Sequence, residues 1–320
     1  VAHARITRII SVGSSVPDRI VTNKDLERIL DTSDEWIATR TGIRQRRVFG
    51  KGEEARAYEL GGKAAMNALS MAGRSPHDVD GIICATFSPD YFFPSTACKI
   101  QQYIGNTEAC AFDVSAACAG FVYALSVADA MIVSGRCRCM LVVGAEVTSR
   151  TVDWTDRGTC ILFGDGAGAV LLEEHTGGDR GILATYLNSN GAFGDILSLP
   201  ATGEKRFMKM NGNEVYRHAV RLMGEASELC LRKAGLSIDK VDLIVPHQAN
   251  IRIINAMAKH MGVPREKVVT NLDRYGNTSS ASIPLALEEA WKQGRVKDGT
   301  VAVFTALGGG LAWGSAVVRF

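Results

Sequence analysis

Ala72-Gly-Arg-Ser-Pro-His-Asp-Val-Asp80 and Ala234-Gly-Leu-Ser-Ile-Asp-Lys-Val-Asp242 agree at five positions with a single offset of 162 residues (234 − 72). Each copy is preceded by an apolar segment of helical period, residues 61 to 71 and 219 to 233. Each is followed by a run rich in strand formers, Gly81-Ile-Ile-Cys-Ala85 and Leu243-Ile-Val-Pro246. The spacing therefore repeats a helix, a turn and a strand, and a repeat of that kind sets the whole fold.

The parallel extends outward. A helical stretch follows each strand, ending near Gly105 and near Gly262. A short strand-like run comes next, Ala109 to Val114 and Lys267 to Thr270. A helix of small residues then starts around Cys118 and around Asn277. Met140-Leu-Val-Val-Gly144 and Val301-Ala-Val-Phe-Thr305 read as further strands. Each half closes on a glycine-rich turn and an apolar strand, from Gly164 and from Gly308. Strands alternating with helices predict α/β layers, and near-continuous apolar strands predict sheets covered on both faces. The stretch Ala119 to Ile132 is apolar nearly all round, as a helix in a central layer must be. The expectation is a duplicated five-layer α-β-α-β-α fold, with halves at residues 1–175 and 176–320.

The 320 residues are 46% hydrophobic and 22% charged, a globular composition large enough to need no staple. A net charge of +2 argues against nucleic acid as a partner. No window of 18 apolar residues occurs, so no membrane span is expected, and nothing at the start reads as a secretory leader. The expected location is cytoplasmic and reducing, with the eight cysteines as thiols. Cys137-Arg-Cys139 is too tight for a zinc site and has no matching pair, so no metal is expected.

Among those thiols Cys118 stands apart. It sits where a strand ends near Val114 and a helix begins, flanked by Ala116, Ala117, Ala119 and Gly120. A thiol at a helix N-terminus faces unpaired N–H groups, which predicts a lowered pKa, and the small neighbours leave room for a substrate. His247 lies just past the apolar strand ending at Pro246. Asn277, in Tyr275-Gly-Asn-Thr-Ser-Ser, lies at the next such joint, and the repeat places it in a position related to Cys118. Sites gather at the C-terminal ends of strands in α/β folds. Taken singly, a capping histidine and an N-cap asparagine explain both residues. Gly308-Gly309-Gly310 supplies backbone N–H groups that, with that of Cys118, suit an oxyanion hole. No Gly-Lys-Ser/Thr follows, so a phosphate loop does not fit. The Gly164 run leads into a strand and so is no dinucleotide fingerprint. The order Cys118, His247, Asn277 also matches a papain-like protease, but the local signature around the cysteine is missing.

Together these segments resemble the type III β-ketoacyl-acyl-carrier-protein synthases of the thiolase superfamily over essentially the whole chain. The stretches that carry the resemblance are Ser33-Asp-Glu-Trp-Ile-Ala-Thr-Arg-Thr-Gly-Ile-Arg44, Asp113-Val-Ser-Ala-Ala-Cys-Ala-Gly-Phe121, Thr155-Asp-Arg-Gly-Thr159, Phe163-Gly-Asp-Gly-Ala-Gly168, Asn211-Gly-Asn-Glu-Val215, His247-Gln-Ala-Asn250, Tyr275-Gly-Asn-Thr-Ser279 and the terminal glycine-rich strand. The resemblance implies an acyltransferase that joins a short acyl-CoA to malonyl-acyl-carrier protein, begins type II fatty acid synthesis, works as a homodimer and needs no cofactor. It implies Cys118 as the acylated nucleophile, His247 and Asn277 as donors to the malonyl thioester oxygen, and Gly309 with Cys118 as the oxyanion hole. It implies coenzyme A contacts at Trp36, Arg40, Thr41, Arg157, Met210, Gly212, Asn213 and Asn250, with adenine between Trp36 and Arg157. Phe93 matches a residue that limits the acyl pocket from across the dimer. Arg252 and Lys259, spaced with Asn255 along one helix face and extended by Arg217, are expected to dock the acidic carrier protein. A solvated helix face explains the same charges. An acyltransferase of secondary metabolism and a non-catalytic acyl-CoA-binding homologue remain as rivals.

Overall fold

The computed structural model describes residues 5–50, 52–204 and 206–320. Its first sheet holds β1 (Arg5–Ser15), β2 (Gly81–Ala85), β3 (Cys110–Val114), β4 (Cys139–Glu146) and β5 (Gly166–Thr176), in the order β1-β5-β4-β2-β3. Here β2 runs parallel to both β3 and β4, and β5 runs antiparallel to β4 and β1. The second sheet holds β6 (Gly181–Ser189), β7 (Leu243–Pro246), β8 (Val301–Gly308) and β9 (Ala312–Arg319), in the order β7-β8-β9-β6. Only β7 and β8 pair in parallel there. The offset of 162 carries β2 onto β7 and β4 onto β8 residue for residue, since Gly81 maps to Leu243 and Cys139 to Val301. The chain leaves the first sheet at Thr176 and enters the second at Gly181.

The longer helices are α1 (Asp34–Thr41), α2 (Ala57–Ala72), α3 (Thr96–Ile104), α4 (Gly120–Val133), α5 (Gly212–Lys233), α6 (Ile251–His260) and α7 (Ser282–Lys292). α2 and α3 cover the outer face of the first sheet, and α5 and α6 that of the second. α4 and α7 lie side by side between the sheets, which gives the five layers α-β-α-β-α. The composition of α4 explains its place: Phe121, Val122, Leu125 and Ile132 are all fully buried. Each large apolar side chain withdrawn from water stabilises by about 1.5–3 kcal/mol. This helix starts at Gly120 rather than near Cys118, because a 3₁₀ turn, Ala117–Ala119, comes first.

One expected strand is missing. Lys267 to Thr270 forms only a single bridge, Val268 to Ile244, with the Val269 N–H bonded to the Ile244 carbonyl at 2.8 Å. The side chain of Gln248 takes the place of the remaining ladder. Its Nε2 donates to the Val269 carbonyl (3.2 Å), and its Oε1 accepts the Asn271 N–H (3.0 Å). The small-residue helix expected around Asn277 likewise begins later, at Ser282, after a second 3₁₀ turn over Ser279–Ala281. The two turns correspond at the same offset, Ala117 with Ser279 and Cys118 with Ser280. Both open on a residue with positive φ, +46° at Ala117 and +51° at Ser279. L-residues with side chains rarely adopt that backbone, so its presence in both turns marks a shared, constrained bend. Cys118 and Asn277 thus lie on corresponding turns but not at the same position: Asn277 matches Ser115.

Candidate active site

The C-terminal ends of β2, β4, β7 and β8 all point to where the two 3₁₀ turns meet. Cys118, His247 and Asn277 line one cavity of about 590 Å³ there, in the range of small-molecule sites. Gly309, Met210, Gly212, Asn213 and Asn250 line it as well. Gly308 lets β8 approach the nucleophile: a Cβ on it would stand 2.6 Å from the Cys118 nitrogen.

Cys118 is buried, and its Sγ accepts a hydrogen bond from Ser279 Oγ at 3.3 Å. Burial pushes its pKa up to about 12, only partly offset by that hydroxyl and by the cysteine's own N–H. The sequence-based expectation of a lowered pKa is therefore wrong for the resting protein. The turn puts α4 two residues beyond the thiol, and desolvation outweighs a dipole worth about 0.3–1 kcal/mol. Cys118 rests as a thiol, and its proton must leave as it attacks.

His247 continues the β7 ladder through its N–H to the Thr305 carbonyl (2.8 Å), which aims the ring into the cavity. Its Nδ1 lies 2.7 Å from Ser282 Oγ, and that oxygen already accepts the Gln248 N–H at 3.3 Å. Ser282 is fully buried and has no other described acceptor for its proton. Hydrogen-bond accounting therefore makes Ser282 the donor to Nδ1, which leaves the ring proton on Nε2. Burial lowers the histidine's pKa to about 4, so the ring is a neutral N–H donor at physiological pH. Asn277 is oriented similarly. Its Oδ1 accepts the Ser279 N–H at 2.8 Å, and none of the described hydrogen bonds uses its Nδ2. Two neutral N–H donors thus face the same cavity as the thiol, with no base beside them.

Family models described as 3-oxoacyl-[acyl-carrier-protein (ACP)] synthase III and its C-terminal part match residues 112–191 and 231–320. A curated relative from Acidiphilium cryptum, named beta-ketoacyl-[acyl-carrier-protein] synthase III, is 52% identical over 98% of this chain and 99% of its own. One of the same name from a Ruegeria species is 51% identical over 98% of both chains. The chain belongs to this synthase III family. The solved synthase III of Aquifex aeolicus superposes with a TM-score of 0.94 at 47% identity, covering 98% of this chain and 100% of that one. That of Pseudomonas aeruginosa superposes with a TM-score of 0.94 at 39% identity, covering 98% of each. The fold is accordingly thiolase-like, and the chain is a condensing enzyme of the acyltransferase type.

The remaining expected residues of this synthase III chain fall into three groups. Trp36, Arg40 and Arg157 form a stack on the surface, with both guanidiniums 4.7 Å from the indole centre. Asn250 ties that stack to the cavity by donating from Nδ2 to the Arg40 carbonyl (3.1 Å). Thr41 is no surface contact: it is buried, donates to the Ile37 carbonyl at 2.7 Å and accepts the Ile43 N–H at 3.0 Å. Phe93 stands outside the cavity of its own chain and is 86% exposed. Arg252 lines the cavity mouth, Lys259 is exposed further along α6, and Arg217 pairs with Glu214.

Several functional groups escaped the sequence reading. Ser279 and Ser282 looked like parts of a helix start. Arg46, fully buried, donates to the Ile161 carbonyl (2.6 Å) and to Asn23 Oδ1 (2.9 Å), and Asn23 in turn donates to Asp34 at the head of α1. It thereby couples the Trp36 helix to the segment that pairs Phe163 with Asn277. The signal that was available is Glu146, a single carboxylate closing the apolar run Cys139-Met-Leu-Val-Val-Gly-Ala-Glu146. Among the described residues no cluster of His, Cys, Asp and Glu suits a metal, and no helix is long and apolar enough to cross a membrane.

Proposed function

We propose that this enzyme loads a short acyl group from acyl-CoA onto Cys118 and condenses it with malonyl-acyl-carrier protein, with loss of carbon dioxide, to open type II fatty acid synthesis in the cytoplasm. One observation carries the assignment of roles: a neutral His247 held as an Nε2–H donor and an Asn277 held as an Nδ2–H donor share a cavity with a protonated thiol.

In the first step Cys118 Sγ attacks the thioester carbonyl. The bond to the coenzyme A sulfur breaks, and the thiol proton ends on that sulfur. The oxyanion is met by the backbone N–H groups of Cys118 and Gly309. In the second step the malonyl carboxylate leaves as carbon dioxide. The enolate oxygen sits between His247 Nε2–H and Asn277 Nδ2–H, and each such donor contributes about 2.7–4 kcal/mol in a transition state. Decarboxylation itself makes the carbanion, so no strong base is required. Its carbon attacks acyl-Cys118, the carbon–sulfur bond breaks, and the thiolate takes up one proton from solvent. The kinetics are ping-pong. Coenzyme A runs past Met210, Gly212, Asn213 and Asn250, and its adenine enters between Trp36 and Arg157. The carrier protein docks on Arg252, Lys259 and Arg217. A second copy pairs along the open edge strand β3, and the exposed Phe93 reaches the partner's pocket.

Intact mass tests this reading. Wild type incubated with acetyl-CoA gains one acetyl group, Cys118→Ser gains none, and malonyl-acyl-carrier protein discharges the adduct as a ketoacyl product. An adduct that the malonyl carrier leaves in place points to an acyltransferase with a different acceptor. Absence of an adduct with acetyl-CoA and with longer or branched primers removes Cys118 as the nucleophile.

A further inference from the structure

Glu146, the last residue of β4, has no exposed surface and, among the described residues, no cationic partner. Its Oε2 accepts from Ser88 Oγ at 2.6 Å, from Thr86 Oγ1 at 3.2 Å and from the Phe87 N–H at 3.3 Å. Its Oε1 lies 2.8 Å from Ser280 Oγ, which lies equally 2.8 Å from the Ala85 carbonyl. A serine hydroxyl has one proton and cannot serve both oxygens. Every atom is satisfied only when Oε1 carries a proton and donates to Ser280, while Ser280 donates to Ala85 and Oε2 accepts the other three bonds. Desolvation by burial, which raises the carboxyl pKa to about 7, agrees with that count.

We propose that Glu146 is a positioning residue of the condensation, acting as a neutral acid that fastens the Asn277–Ser280 turn to the Thr86–Ser88 loop and keeps negative charge away from the thiolate forming on Cys118. The fastening crosses the two halves, since Ser280 belongs to the second 3₁₀ turn and Thr86–Ser88 extends β2 of the first sheet. Ser279, one residue before Ser280, is the hydroxyl that donates to Cys118. Ionised, Glu146 is an anion that opposes the thiolate and raises the Cys118 pKa. Within its field lie the thiols Cys84 on β2 and Cys118, and Cys84 is in turn acted on by Asp113 and Asp90. Beyond Ser88 lies Arg150, which bonds the Ser88 carbonyl at 2.6 Å but is paired with Asp90 at 2.8 Å. The nearby groups are thus acids and thiols, with the one cation already paired.

The inference rests on Cys118 as the nucleophile, so the test reads that thiol directly. Alkylation of Cys118 by iodoacetamide is followed by peptide mass mapping from pH 6 to pH 9 in wild type and Glu146→Gln. Glutamine keeps a neutral side chain that can donate to Ser280. The variant-to-wild-type rate ratio is expected to climb about three- to tenfold across this range, as expected for removal of a nearby buried charge. The wild-type plot of log rate against pH is expected to flatten near pH 7 before rising again. A constant ratio overturns the proposal. If the glutamine variant does not fold, a wild-type plot of uniform unit slope overturns it just as well. Failure to alkylate Cys118 in wild type at any pH removes the nucleophile itself, a separate outcome that takes this inference with it.

Discussion

The two halves use one frame for opposite ends. At the shared offset His247 stands where the first half has Ala85, and Ser282 where it has Gly120. Cys118 stands where the second half has Ser280, and Gly308 where the first has Glu146. Corresponding pairs touch in both places, within each half and across the two halves. His247 bonds Ser282, and a Cβ on Gly120 would meet that of Ala85 at 3.1 Å. Ser280 bonds Glu146, and a Cβ on Gly308 would strike the Cys118 nitrogen. One turn thus packs its backbone directly on β8 because its neighbour is a glycine, with Cys118 at the cavity. The other is plugged by a carboxyl, and its serine is spent on internal hydrogen bonds. A single reaction centre emerges from two similar turns through side-chain size at four positions, with the backbone nearly unchanged.

The strongest way to break this comparison is to add one carbon to the open half. Gly308→Ala puts a methyl against backbone atoms of Cys118, Ala116 and Ala119, all within 2.9 Å. Overpacking of this kind costs about 1–3 kcal/mol, and displacing the nucleophile by about 1 Å slows acylation about 100-fold. Thermal melting and the rate of acetyl adduct formation measure the two effects. A variant that acylates at the wild-type rate would show that the glycine is not what seats the nucleophile. A smaller effect is expected from Ser282→Ala, which leaves His247 Nδ1 unpaired and its tautomer unfixed. Condensation should slow about 10- to 100-fold, the loss of much of one donor, while acylation of Cys118 changes less. Ser282→Thr should restore most of the rate. Equal losses in both half-reactions would reduce Ser282 to packing. The smallest effect sharpens the contrast: Ser280→Cys placed on Cys118→Ser should gain no acetyl group by intact mass, because the second turn has no opening. An adduct there would mean that the plugged half is accessible after all.

The frame was legible because its signal is periodic. The match between residues 72–80 and 234–242 fixes an offset that holds from β2 and β7 through β4 and β8. The approximate placement of Cys118 and His247 at strand ends follows from it. What the sequence concealed depends on three-dimensional neighbours. Helix-dipole reasoning about Cys118 gave the wrong sign because burial is a property of the packed turn. A strand over Lys267 to Thr270 was expected from residue type, yet the amide of Gln248, twenty residues away, takes its hydrogen bonds. Ser282 reads as one more small residue at a helix start until the imidazole beside it is seen. The coenzyme A contacts came only from resemblance, and the carrier face came from the spacing of Arg252, Asn255 and Lys259, since a surface charge such as Arg217 looks alike in sequence whether it meets a partner or a glutamate on its own helix.

The loss of that strand also bears on the proposed pairing of two copies. Gln248 and the segment around Val268 cover the outer edge of the second sheet at β7, while β1 and β6 lie against one another, with the site of a Cβ on Gly181 only 2.4 Å from the Thr7 carbonyl. At the other end of the first sheet, β3 has no strand hydrogen-bonded along its outer flank. A copy that pairs there meets the identical flank of its mate, so the contact is self-complementary and related by a two-fold axis. On that proposed pairing growth would stop at two, because the Gln248 segment covers β7 and β1 packs against β6. A side-chain amide over one sheet end would thus remove the edge from which a pair could extend into a ribbon.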